Sequence, residues 1–322
     1  MSKCKFLLGL MLLIGLSACT DSSMAPDNDV QNGKELEKIV FNFPDLEFDS
    51  SQTRASYLEG SNGLTLRWST ADTIGIFSQI GSQVAFPMLK GTGGSNTAIF
   101  DGNGWGLLEG KSYFAYYPYN YYNRSVDNLQ LDFSNQNQYS MVNPTSGHWG
   151  LCEHDFMYSG LTNPIGNTLT INLNRLGSIV RVDVDLSELG EGDISPSGLV
   201  IEEAELISQN TSFPLEVMFN VEKTGYTYVP KSGKTIKLNI LQPAVQEGNT
   251  ASFYFSIWDT RTESENYKLT FKAAGGYKYV VPLGEVESRF LPGKVIRGMS
   301  RGCGLMTIRA WSGLLSFVLA RS

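Results

Sequence analysis

Val180-Arg181-Val182-Asp183-Val184-Asp185-Leu186 alternates aliphatic and charged residues along its whole length. Successive side chains of an extended strand point to opposite faces, so this stretch reads as a strand with one face on a core and one in water. Its valines suit a pleated surface. The same period of two recurs on both sides. Upstream it runs through Leu64, Leu66 and Trp68, then Val84, Phe86 and Met88, then Leu129, Leu131 and Phe133, then Leu169, Ile171 and Leu173. Downstream come Phe213, Leu215, Val217 and Phe219, then Ile236, Leu238 and Ile240, then Phe253, Phe255 and Ile257, then Tyr267, Leu269 and Phe271. No stretch longer than about ten residues keeps a helical period. Short alternating runs with turn residues between them predict an all-β chain built of sandwiches.

The net charge is −7, and no basic stripe crosses the body of the chain, which argues against nucleic acid as a partner. Of the four cysteines, Cys4 and Cys19 belong to the N-terminal segment. Cys152 and Cys303 lie far apart, so no disulfide framework is expected.

At the N-terminus, Lys3 and Lys5 precede an apolar run from Phe6 to Leu16 that is too short to span a bilayer. The run ends in Leu16-Ser17-Ala18-Cys19. A small residue before a cysteine at that point is the lipobox of a bacterial lipoprotein signal peptide. Cleavage is expected before Cys19, with a diacylglycerol on its thiol and an acyl chain on its freed amine. Several chains, at about 0.8 kcal/mol per buried CH₂, hold a protein firmly on a membrane.

These signals divide the chain into a signal peptide (1–18), a flexible polar tether (19–35), an N-terminal β-sandwich domain (36–168) and a C-terminal one (169–295). The second domain begins with the strand at 169–173 or the one at 179–186. Residues 296–322 form an atypical basic and apolar tail. After Glu287 there is no acidic residue, while Arg289, Lys294, Arg297, Arg301, Arg309 and Arg321 accumulate. This composition switch reads as a frame change in the gene or an atypical terminal segment.

Several stretches together resemble the fimbrillin family, the subunits and accessory proteins of type V pili in Bacteroidia-type bacteria. They are the lipobox; a first strand, Ile39-Val40-Phe41-Asn42-Phe43, followed by Thr53-Arg54-Ala55; and Leu66-Arg67-Trp68-Ser69-Thr70-Ala71-Asp72-Thr73-Ile74-Gly75-Ile76-Phe77. Tyr113-Phe114-Ala115-Tyr116-Tyr117-Pro118-Tyr119, Asp155-Phe156-Met157-Tyr158 and Phe290-Leu291-Pro292-Gly293-Lys294 continue the resemblance to about residue 294.

The resemblance implies two transthyretin-like β-sandwich domains in tandem and assembly by strand exchange. In that scheme an arginine-specific surface protease cuts Arg54–Ala55. The strand carrying Ile39, Phe41 and Phe43 leaves, and the terminal segment of another fimbrial subunit fills the groove. Val295 to Arg301 alternates poorly for a strand that would be donated to another subunit. The implied location is the outer membrane, lipid-anchored and facing outward, or the fimbrium after processing, with a role in adhesion to a host or bacterial surface ligand. The bland reading of Arg54 is an uncut, solvated loop residue.

Two clusters invite other readings. The aromatic run Tyr113 to Tyr122 fits a strand buried between a core and a covering loop. Alternatively, Tyr119, Tyr121 and Tyr122 stack on glycans, as in a surface lipoprotein that never polymerises. His148, Cys152, His154 and Asp155 are metal-ligand types close in sequence, but their spacing matches no zinc pattern, and a loop is expected instead. No nucleophile elbow, metalloprotease helix or phosphate loop occurs, so neither enzymatic activity nor a cofactor is expected.

Overall fold

The computed structural model describes residues 33–43, 46–48, 63–64, 68, 72–78, 83–87, 97–138, 153–186, 198–210, 212–223, 225–243, 250–258, 265–286 and 294–300. Twenty-one strands and no α-helix occur among them. The chain is all-β, as the alternation requires.

Two sheets enclose the first core. One is three-stranded, with β1 (Lys38–Asn42) between β11 (Thr168–Asn172) and β6 (Thr97–Asp101). The other runs β12 (Asn174–Arg175), β10 (Met157–Thr162), β7 (Tyr113–Tyr117), β4 (Thr73–Ser78) and β5 (Gln83–Pro87). Ile39, Phe41, Phe100, Leu169 and Ile171 from the first sheet meet Ile74, Ile76, Phe86, Ala115 and Tyr117 from the second. Face-to-face packing of alternate residues is the construction of a sandwich.

The second sandwich packs two five-stranded sheets. The first is ordered β18 (Thr250–Ile257), β13 (Ser178–Asp185), β21 (Lys294–Ser300), β2 (Leu46–Phe48) and β3 (Gly63–Leu64). The second is ordered β20 (Tyr277–Val286), β19 (Glu265–Ala273), β14 (Ile201–Ser208), β17 (Thr235–Ile240) and β9 (Asn135–Gln138). Val180, Val182, Val184, Phe253 and Phe255 pack here on Leu206, Ile236, Leu238, Leu269 and Phe271.

A last, three-stranded sheet has β15 (Phe213–Asn220) between β16 (Gly225–Gly233) and β8 (Leu129–Asp132). Its Leu129, Leu131, Val217 and Phe219 meet Phe77, Phe114 and Tyr116 on the reverse face of the β4/β7 sheet. All five residues of β7 are therefore buried, on two different cores, and its second face is covered by the strands β8 and β15 and not by the expected loop. Such crowding needs a glycine: Gly75 lies opposite Tyr116, and a Cβ there would fall 2.1 Å from its Cε1.

Sheet membership does not follow the order of the chain. The strand Thr168–Asn172, one of two expected starts of the C-terminal domain, pairs with β1. The strands β2, β3 and β9 come from the first half of the chain but lie in the sheets of the second sandwich.

Two expectations are corrected. Arg181 and Asp183 do not face water: both are only 5% exposed and pair with each other at 2.8 Å. Ser252 Oγ donates to the same Asp183 oxygen at 2.7 Å, and the Arg181 guanidinium lies over the Tyr254 ring. A second layer covers this face, and a buried charge is tolerable only when paired. Likewise Lys294–Ser300, read largely as a poorly alternating terminal segment, is an interior strand in parallel register with Ile179–Val184. Backbone pairing on both sides carries it where alternation is weak.

The two sheets of the second sandwich are also tied by side chains. Gln138 donates to Ser252 O at 3.0 Å and accepts from Tyr254 N at 3.1 Å. Gln136 donates to Ser256 O and accepts from Ser256 N at 2.7 Å. Two buried primary amides thus stand in for a neighbouring strand along the edge of β18, leaving those backbone groups satisfied.

Candidate functional site: the position of the first strand

Ile39-Val40-Phe41 is β-branched and aromatic, a sequence that favours extension, and its odd-numbered residues share one face. Ile39 and Phe41 are fully buried and Phe43 is 5% exposed. β1 pairs in parallel with β11, Ile39 beside Leu169 and Phe41 beside Ile171. On its other edge it pairs antiparallel with β6, Ile39 facing Phe100 and Phe41 facing Ala98. The Phe41 and Phe100 rings meet edge to face, 5.1 Å between centroids.

Both ends of the strand are pinned. At the start, Leu36 is fully buried and its N–H donates to Leu107 O at 2.8 Å. Gly102 N–H donates to Glu37 O at 3.1 Å, and a Cβ on Gly102 would lie 2.3 Å from Leu36 O, so only glycine permits this approach. At the far end, Phe43 packs edge-on to Trp68 at 4.9 Å, and Trp68 to Tyr117 at 5.3 Å. The Tyr117 hydroxyl donates to Asp72 at 2.7 Å. The Arg175 guanidinium covers the Phe43 ring, and its Nε reaches both carboxylate oxygens of Asp155, at 3.0 and 3.1 Å. Burial pushes the Asp155 carboxyl up from its ordinary range, against the pull of Arg175.

The outward face carries a second kind of fastening. Asn42 donates through Nδ2 to Asn172 Oδ1 at 3.0 Å and accepts from Thr97 Oγ1 at 2.8 Å. Alternation alone leaves a strand free to slip by two residues without changing faces. A slip would break both bonds, so Asn42 fixes the register that the apolar face leaves open. Asn42, Asn172, Thr97, Gly102 and the Asp155–Arg175 pair were not identified from sequence. Their one visible sign is Asn42 itself, an amide set between two phenylalanines.

Chemically, the position holds no reacting group. It offers an extended backbone two hydrogen-bonding edges, a row of apolar seats and one amide-reading contact. Cys19, Arg54 and Ala55 lie outside the described residues, as do His148 and Cys152.

The tyrosines of the aromatic loop separate. Tyr119 is half-buried against the Phe77/Phe114 core, and its N–H donates to Thr73 O. Tyr121 and Tyr122 are 59% and 79% exposed, edge to face at 5.7 Å, with the Arg124 guanidinium 4.2 Å from the Tyr121 ring centroid. His154 contacts Asp132 O through Nδ1 at 3.1 Å, and its Nε2 is buried with no partner. Burial pulls this imidazole below its ordinary range. Among the described residues no group of metal-ligand side chains converges.

No family model matches the sequence, and no curated protein matches it. Solved structures do resemble the fold. A candidate cell adhesion protein from Bacteroides uniformis is 14% identical with a TM-score of 0.47, covering 73% of this chain and 90% of that one. Another from Bacteroides ovatus is 13% identical with a TM-score of 0.47, covering 89% and 97%. A C-terminally truncated tip fimbrial protein from Porphyromonas gingivalis is 10% identical with a TM-score of 0.32, covering 89% and 99%.

Proposed function

We propose that this chain is a fimbrillin-type surface lipoprotein, a structural or accessory subunit of a pilus assembled by protease-triggered strand exchange, with a role in adhesion. The observation that carries the reading is β1: an interior strand, buried on one face, near the N-terminus and upstream of Arg54. Burying three residues such as Ile39, Phe41 and Phe43 contributes on the order of 5–9 kcal/mol. That is comparable to the whole stability of a typical domain. Loss of the strand would leave β6 and β11 with unpaired edges over an open apolar groove, a strong acceptor for a strand of another subunit. The partners in this reading are other fimbrial subunits, an arginine-specific surface protease, and the outer membrane through lipid on Cys19.

Mass spectrometry of the N-terminus recovered from the cell surface tests it. A chain beginning at Ala55 is expected of a polymerising subunit. Acylated Cys19 on every molecule would reduce the protein to an anchor or a lipoprotein that stands alone. The exposed Tyr121–Tyr122 pair supports a second reading, glycan binding without polymerisation. Retention on a polysaccharide gel, lost in Tyr121→Ala, is its expected signature.

A further inference from the structure

Three connections meet at one end of the first sandwich. Lys38, at the start of β1, pairs with Thr168 at the start of β11 and with Asp101 at the end of β6. In the facing sheet Tyr113, at the start of β7, pairs with Thr162 at the end of β10. The segment 33–37, the connection 102–112 and the turn 163–167 therefore share this end. Hydrogen bonds knit them together. Glu109 N–H donates to Lys34 O at 2.8 Å, Glu37 N–H to Asn167 O at 3.0 Å, and the Ser112 hydroxyl to Asn163 Oδ1 at 2.5 Å.

The knitted end presents large apolar side chains to solvent. Ile165 is 86% exposed, Leu161 48% and Trp105 40%. Their backbone and packing hold them there. Ile165 and Thr168 exchange both backbone hydrogen bonds, at 2.8 and 3.2 Å, and the Trp105 ring packs on Phe86 at 4.8 Å between centroids. Charges nearby are engaged locally: Lys34 pairs with Glu37 at 2.9 Å, Glu35 accepts from Gly104 N–H at 3.1 Å, and Asp101 accepts from Asn103 N–H at 3.0 Å. A single exposed apolar residue is ordinary, but several gathered on one rigid end mark a contact surface.

We infer that this end of the first sandwich rests on the bilayer that holds the lipid of Cys19, with Ile165, Leu161 and Trp105 entering the membrane interface. The inference rests on the acylation proposed above and concerns the chain before any cut at Arg54. The occupant follows from the covalent path. The chain enters the sandwich at Lys34, at this very end, and residues 20–33 that join it to Cys19 reach at most about 50 Å when fully extended. Aliphatic side chains and an indole at headgroup level are the chemistry of shallow attachment. With no basic cluster at this end, attachment does not depend on anionic lipid. The Tyr121–Tyr122 pair lies beyond the opposite end of β7 and so points away from the bilayer.

Photo-crosslinking tests this, on the full acylated chain in phosphatidylcholine vesicles that carry a phospholipid with a diazirine near the top of one acyl chain. Lipid adducts are expected on the peptides containing Trp105 and Leu161–Ile165, none on Tyr121–Tyr122, with no effect of added salt. Ile165→Asn, at a position too exposed to affect folding, should lose the adducts on its own peptide. Adducts confined to residues 19–33 of an acylated chain would overturn the inference and leave the lipid anchor intact. So would finding the same peptides free of lipid and crosslinked to a second copy of this chain. A chain recovered from the membrane without lipid on Cys19 would overturn both.

Discussion

The guanidinium carbon of Arg175 lies 5.5 Å from the centre of the Phe43 ring, so an ion pair from a neighbouring sheet closes over the end of the first strand. Arg175 and its partner Asp155 are 1% and 2% exposed at their side chains. Removing one member of such a pair strands the other charge in a dry site, at a cost of about 3–5 kcal/mol, whereas replacing both with apolar residues is often close to neutral.

Asp155→Ala is therefore expected to lower the urea midpoint strongly, and Asp155→Leu with Arg175→Met to recover most of the loss. Equal destabilisation by the single and double variants would show that the pair contributes more than mutual neutralisation.

The amide of Asn42 yields a second expectation. Asn42→Val and Asn172→Val should be coupled, with an interaction energy of about 0.5–1.5 kcal/mol in a double-mutant cycle. Additive effects would mean that the two amides do not set the register of the strand.

Gln138 uses both ends of its side chain on the edge of β18. Gln138→Glu keeps an acceptor for Tyr254 N–H but gives Ser252 O no donor. The expected cost is about 1–3 kcal/mol, typical of a buried polar group left unsatisfied. Gln138→Leu should in addition make the Tyr254 amide exchange rapidly. Unchanged exchange in that variant would mean that another group protects the edge.

Stability should also fall in alkali. Burial pushes the Tyr116 hydroxyl from 10.0 up to about 12, although hydrogen bonds to Asn120 and Gln83 pull the other way. The unfolded chain ionises first, so this contribution is complete below pH 10 and is lost as pH rises toward 12. Burial raises Tyr113 and Tyr279 as well, and they share the decline. Tyr116→Phe should flatten part of the slope in chemical denaturation between these values. An unaltered slope would assign the decline to the other two tyrosines.

Much of this architecture is legible from the sequence. Leu129, Leu131 and Phe133, like Leu169, Ile171 and Leu173, are buried in step with their alternation. Alternation fails where a second layer or a partner strand supplies what hydropathy does not record. Arg181 and Asp183 read as solvent-facing because a charged side chain in an alternating run gives no sign that it is buried and paired. Asn135-Gln136-Asn137-Gln138 carries no apolar period, yet it forms a strand because its amides bond to backbone across a gap. The fastening of β1 by Asn172 depends on a residue 130 positions away, beyond any local pattern.

That separation also bears on the order of synthesis. A ribosome completes Lys38–Asn42 long before it reaches Thr168–Asn172, so β1 cannot be flanked on both edges until more than half the chain has been made. Non-local pairing of this kind comes late in folding, because a long loop must be closed first. Each newly made molecule thus passes through a stage in which the seat of its first strand stands incomplete. A first strand lacking one of its two neighbours is accordingly a form that the polypeptide visits on its way to maturity, before any protease meets it.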